Sequence, residues 1–154
     1  KGDYFSEGNN KKNELFPKNY KHFWQTKKSV KKMELSFKKN RLAIINQEPV
    51  EEEKIRLNVF NIENTHDPLT SFLKIMMGKK SALVVDGRRL YTMEAQHDES
   101  ANQTTIEVSN YSNLWADHKR NKFEKIIFEK KAKEILPFKM LIFFDGRVFR
   151  LEES

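Results

Sequence analysis

From Lys31 to Lys38, Met33, Leu35 and Phe37 alternate with Lys32, Glu34, Ser36 and Lys38, the period expected of a strand with one face in a core and the other in water. Lys39-Asn40 reads as a tight turn into a partner strand over Arg41 to Asn46, which makes the pair a hairpin. Upstream, aromatic residues crowd a strand from Tyr20 to Thr26; Asp3 to Ser6 predicts a short strand and Gly8 to Lys12 a loop, with continuous order from near Leu15. Gln47 to Glu53, with Pro49 and consecutive glutamates, is a loop, after which Ile55, Leu57 and Val59 alternate with Lys54, Arg56 and Asn58 and predict a further half-buried strand.

The period changes at Asp67-Pro68. An acidic cap followed by proline opens a helix, Gly78 ends it, and Leu69, Phe72, Leu73 and Met76 recur at helical spacing on the face expected to meet the core. Beyond it, Ser81 to Val85 and Arg88 to Glu94 flank Asp86-Gly87, and Lys139 to Phe144 and Val148 to Glu152 flank Asp145-Gly146, both strong hairpin signals. Strands over Thr104 to Asn110 and Phe123 to Glu129 and a turn at Leu136-Pro137 fill the interval. Strands that follow one another through hairpins make an antiparallel meander, whose edges are best protected by closure or by the helix. The expected fold is all-β: a single domain over 1–154, an antiparallel lipocalin-like β-barrel or half-barrel with one short α-helix.

Composition supports one core rather than several. The chain has 154 residues, 38% of them hydrophobic, and its 12 Phe can dominate an interior by area. No apolar run reaches the roughly 18 residues of a membrane span, and no secretory leader is visible. The absence of cysteine removes disulfides, thiolate chemistry and Cys-based metal sites, while leaving the compartment open. The net charge of +7 is concentrated early: Lys1 to Arg41 carries 12 basic and 4 acidic residues, against 17 and 18 in the remainder. Such asymmetry fits either an anionic partner or a solvated lysine-rich face.

Catalytic patterns are not legible. There is no Gly-x-Ser-x-Gly elbow and no phosphate-cradling glycine loop, and the carboxylates of Glu51 to Glu53 and Asp98-Glu99 fall in solvated loop-like stretches. His22, His66, His97 and His118 lie far apart, and His66-Asp67, His97-Asp98 and Asp117-His118 are neighbours that point to opposite faces of a strand, so neither a metal site nor a cofactor is expected. Tyr20, Phe23 and Trp24 among Lys18, Lys21, Lys27 and Lys28 mix rings with cations as single-strand nucleic-acid binders do. Nucleic acid is nonetheless the disfavoured partner, because strand aromatics beside lysines commonly form the core and rim of a sheet, and the charge here is mostly Lys rather than fork-shaped Arg. The apolar set offers more: Met33, Leu35, Phe37, Phe72, Met76, Met77, Tyr91, Met93, Phe143 and Phe144 are large, and a barrel of about eight strands is just wide enough for a small ligand. Of these, Met33, Leu35, Phe37, Phe72, Met76, Tyr91 and Met93 are the candidate ligand-binding residues, against the simpler alternative that they fill the interior.

Leu15-Phe16-Pro17-Lys18-Asn19-Tyr20, the basic strand ending at Phe37, Asp67-Pro68-Leu69-Thr70-Ser71-Phe72-Leu73 and Asp86-Gly87-Arg88-Arg89-Leu90-Tyr91 together resemble the bacterial family named domain of unknown function 3108, over Ser6 to Met93 and more thinly after it. The leading strands usual in that family are not visible here. The resemblance implies a Gram-negative cell-envelope protein, periplasmic or secreted, exported by a leader, with a lipocalin-like barrel or the half-barrel-plus-helix form of the lipoprotein carriers, which hold acyl chains on a concave sheet. It implies no enzyme activity. The expected function is therefore non-enzymatic binding of a lipid or other small apolar ligand inside the barrel. The alternative is an envelope interaction module that docks an anionic partner, whether protein, glycan or nucleic acid, through the basic N-terminal third.

Overall fold

The computed structural model describes residues 1–51, 54–115 and 123–153. Strands β1 (Gly2–Lys11), β2 (Glu14–Gln25), β3 (Val30–Lys38) and β4 (Arg41–Glu48) form a four-stranded antiparallel sheet in chain order. A second sheet holds β5 (Thr65–His66), β6 (Ser81–Val85), β7 (Arg89–Asp98), β8 (Gln103–Asn113), β9 (Phe123–Glu129), β10 (Lys139–Phe144) and β11 (Arg147–Glu152), also in chain order. The helix α1 (Pro68–Met76) follows β5 and packs on β6 while touching β1 and β2 of the first sheet. Among the described residues the sheets do not close into a barrel, so the all-β class with one short α-helix holds in its open form.

Local chemistry explains most boundaries. Lys39 and Asn40 both adopt positive φ in the β3–β4 turn, as do Asp145 and Gly146 between β10 and β11, matching the right-handed twist of the strands they join. At β6–β7 the turn centre is one residue later than expected: Asp86 N–H bonds Arg89 O, Gly87 takes φ 84°, and Asp86 Oδ1 accepts from the amides of Arg88 and Arg89. The aspartate therefore clamps the turn from outside it. Pro17 sits inside β2 without breaking a ladder with β3, whose pairing to β2 begins at Asn19.

Two expectations are corrected. Gly8 to Lys11 is strand rather than loop: β1 is an edge strand exposed on nearly every residue, so no alternation marks it. Ile55 to Val59 is not a strand. Ile55 makes one isolated bridge to Trp115, and Val59–Asn61 is a turn of 3-10 helix, although Ile55, Leu57 and Val59 do face the core as their alternation predicts.

The helix is anchored at its first turn. Asp67 is fully buried; its Oδ1 accepts from the amides of Leu69 and Thr70, both at 3.0 Å, and its Oδ2 from the hydroxyls of Thr70 at 2.6 Å and Ser6 of β1 at 3.0 Å. The buried helical positions are Thr70, Ser71, Ile75 and Met76, whereas Leu69 is exposed and Phe72 and Leu73 are half-buried, so the face is rotated from the expected one. Small hydroxyl residues at the first turn let the helix approach β1 closely, which the apolar count alone could not show. Two core clusters result. One gathers Tyr20, Met33, Leu35, Phe37, Leu42, Val59, Val85 and Leu114. The other gathers Ile75, Met76, Val84, Tyr91, Met93, Ile106, Ile126 and Phe128 between α1 and the second sheet.

Candidate functional site

At the C-terminal end of α1 the chain turns away through Met77 and Gly78, whose φ of 102° suits only glycine comfortably. The turn leaves an open cleft of about 910 Å³ between the helix end, the β1–β2 turn, the β7–β8 turn and the segment after β9. Met76, Met77, Phe128 and Ile135 supply its apolar surface. Lys12, Lys74, Lys79, Lys130, Lys131 and Lys133 face four carboxylates, Glu14, Asp98, Glu99 and Glu134, around it.

A well-enclosed polar group there is the Lys74 ammonium. Its side chain is only 13% exposed, and it donates to His66 Nε2 at 3.1 Å while lying 3.7 Å from Glu14. Desolvation lowers the Lys74 pKa, an effect that Glu14 opposes. The buried His66 ring, desolvated and next to that ammonium, is pushed down to about 4 and is neutral near pH 7. Glu14 also bonds Lys79, whose hydrogen bond holds the carboxyl below its ordinary range. Lys130 donates to Met76 O at 2.6 Å and satisfies a carbonyl at the helix end. Asp98 is occupied within its own turn by Ser100 and Ala101.

The seven residues expected to bind ligand do not line one space. Met33, Leu35 and Phe37 belong to the first cluster and are buried against Tyr20, Leu42 and Val85. Met33 also fills the room beside Gly87, where a Cβ would run into its sulfur. Phe72, Met76, Tyr91 and Met93 belong to the second cluster; Phe72 meets Phe128 edge-on at 5.6 Å, and Tyr91 stacks on Tyr111 at 5.4 Å. Of the seven, Met76 alone borders the cleft. Sequence reasoning counts Met77 in the apolar set without making it a candidate, and misses Phe128 and Lys74. The signal for the first and last was the helix end Lys74-Ile75-Met76-Met77-Gly78, while Phe128 reaches the cleft only through strand pairing.

The basic N-terminal third is partly neutralised in place, by Lys1–Asp3 at 3.3 Å, Lys21–Glu34 at 3.2 Å and Lys32–Glu48 at 3.0 Å. Tyr4, Phe5 and Trp24 are about half exposed there, with Tyr4 stacked on His22 at 4.3 Å. Among the described residues no three His, Asp or Glu side chains gather as metal ligands, and no helix is long and apolar enough to cross a membrane. Asp117-His118 and Glu52-Glu53 lie outside the described residues. Comparison with protein-family models, with curated proteins and with solved structures finds no match.

Proposed function

We propose that this chain is a non-enzymatic binding protein of the cell envelope, periplasmic or secreted, that holds a lipid or other small apolar molecule. The observation that supports this reading best is the cleft: its volume of about 910 Å³ is that of a small-molecule site, and Met76, Met77 and Phe128 contribute apolar surface to it among ten charged side chains. The binding place moves accordingly, from the packed interior around Leu35 to the helix end. Envelope localisation rests on the resemblance of Asp67 to Leu73 and Asp86 to Tyr91 to the family named above. The docking alternative, through the basic N-terminal third, has less support, because three of its lysines already pair with carboxylates.

The test is recovery of a ligand. Native mass spectrometry or solvent extraction of the purified protein should release an apolar molecule, and a neutral environment-sensitive dye should bind saturably. Met77→Trp, at the half-buried rim, should reduce dye binding while leaving the melting temperature nearly unchanged. Absence of extractable ligand together with absence of dye binding refutes the proposal.

A further inference from the structure

We infer that the cleft takes a single-chain amphiphile with an anionic head group, its head beside Lys74 and its chain running along the row Phe128, Met140, Leu151. This deepens the binding reading above and rests on it.

The row follows from strand register. Phe128 of β9 is directly opposite Met140 of β10, and Met140 is directly opposite Leu151 of β11. Directly paired residues share a face, so the three side chains form one apolar track about 10 Å across, two strand spacings. Phe128 lies in the cleft at the helix end, whereas Met140 and Leu151 line a second hollow of about 360 Å³, and Glu134 borders both. The hollows therefore adjoin, with Glu134 on the rim of both. On the same face of β11, Phe149 and Leu151 stay 50% and 53% exposed. Exposure rises along the track, from Phe128 at 2% through the half-buried Met140 to Leu151 and Phe149, and an exposed apolar patch at its far end marks a binding surface more often than a scattered exposed side chain does.

Charge orients the occupant. Around the first hollow six lysines face four carboxylates; the charged residues of the second are the carboxylates Glu134, Glu152 and Glu153, of which Glu152 pairs with Arg150 and Glu153 with Lys131 of the first. A negative head is thus favoured at the lysine end. Within the lysine end, Lys74 and Lys79 share the single carboxylate of Glu14, and the other contact of Lys74 is a histidine that carries no charge near pH 7. One positive charge is left over beside the cleft, on a side chain already held in place, and an incoming carboxylate or phosphate neutralises it with little ordering cost.

The experiment is displacement of the neutral dye N-phenyl-1-naphthylamine from the full chain by hexadecanoate, hexadecanol, octanoate and 1-hexadecanoyl lysophosphatidic acid, each below its micelle concentration. Hexadecanoate should bind about tenfold tighter than hexadecanol. Lys74→Met should remove that preference and leave hexadecanol affinity unchanged; Lys79→Met, at an exposed position, serves the same purpose if the first variant fails to fold. Leu151→Asp should weaken hexadecanoate but not octanoate, which is too short to need the far end of the track. The lysophospholipid arm separates a phosphate from a carboxylate head, and tight binding of either supports the anion site. Equal affinity for hexadecanoate and hexadecanol overturns this inference but not the binding reading; failure of every ligand to displace the dye overturns both.

Discussion

Two turns in this chain share the sequence Asp-Gly-Arg, and a methyl group added to each glycine should have different consequences. Gly87 has φ 84° and Gly146 has φ 72°, so alanine at either position meets a backbone cost of about 1 kcal/mol. At Gly146 nothing else lies within 4 Å of the new Cβ. At Gly87 the Cβ falls 2.9 Å from Met33 Cε and 3.0 Å from Cγ, closer still to Sδ, and Met33 is 2% exposed in the first core cluster. Overpacking of that kind costs about 1–3 kcal/mol. Gly87→Ala should therefore lose about 2–4 kcal/mol, and Gly146→Ala about 1 kcal/mol. Denaturant unfolding with an unchanged m-value is the assay. A cycle isolates the packing part: in a Met33→Ala background, Gly87→Ala should cost only about 1 kcal/mol, because its collision partner is gone. Equal losses at the two glycines, or strict additivity with Met33→Ala, would refute the packing argument.

Asp67→Ala should cost about 2–4 kcal/mol in thermal or denaturant unfolding, a cap worth about 1 plus the buried hydroxyls of Thr70 and Ser6 left short of an acceptor. His66 gives the pH dependence: its unfolded ring takes up a proton near pH 6.5 and its folded ring only near 4, so its contribution is complete above pH 6.5 and is lost as pH falls to about 4. That loss is about 2 kcal/mol after allowance for partial solvent screening, and His66→Gln should flatten the stability curve across this window relative to the parent. Leu35→Trp, placed in the first core cluster at 1% exposure, should cost about 1–3 kcal/mol; a nearly neutral result would show an unfilled interior.

The parts of the fold legible in the sequence are those where one face is wet and the other dry. Met33, Leu35 and Phe37 gave β3 its boundaries almost to the residue, and Asp67-Pro68 gave the start of α1. Edges were harder to read: β1 has solvent along nearly all its residues and leaves no period behind. The two-residue β5 pairs parallel to β6, an arrangement set by the helix between them rather than by any local turn. The helix face was misjudged because Thr70 is buried through its hydroxyl bond to Asp67 and Ser71 by its small size, which an apolar count passes over. For the site, size and polarity identified the large apolar residues but not which side of a packed cluster they occupy. Leu35 and Phe128 look alike in a sequence, and register alone puts the second of them beside a cleft.

Strand order that repeats chain order has a kinetic consequence. Each antiparallel pair from β1 to β4 joins neighbours along the chain, as does each from β6 to β11, which keeps the entropy of closing most of these pairs low and lets the sheets grow outward from their hairpins. Among the contacts that escape this economy is the part-buried junction of Ser6 with Asp67, 61 residues apart, which ties the helix to the far edge of the first sheet. The sheets can thus assemble separately and early, while the encounter that fixes one against the other comes late. Weakening that junction should mainly hasten unfolding, whereas weakening a central hairpin should slow the initial assembly.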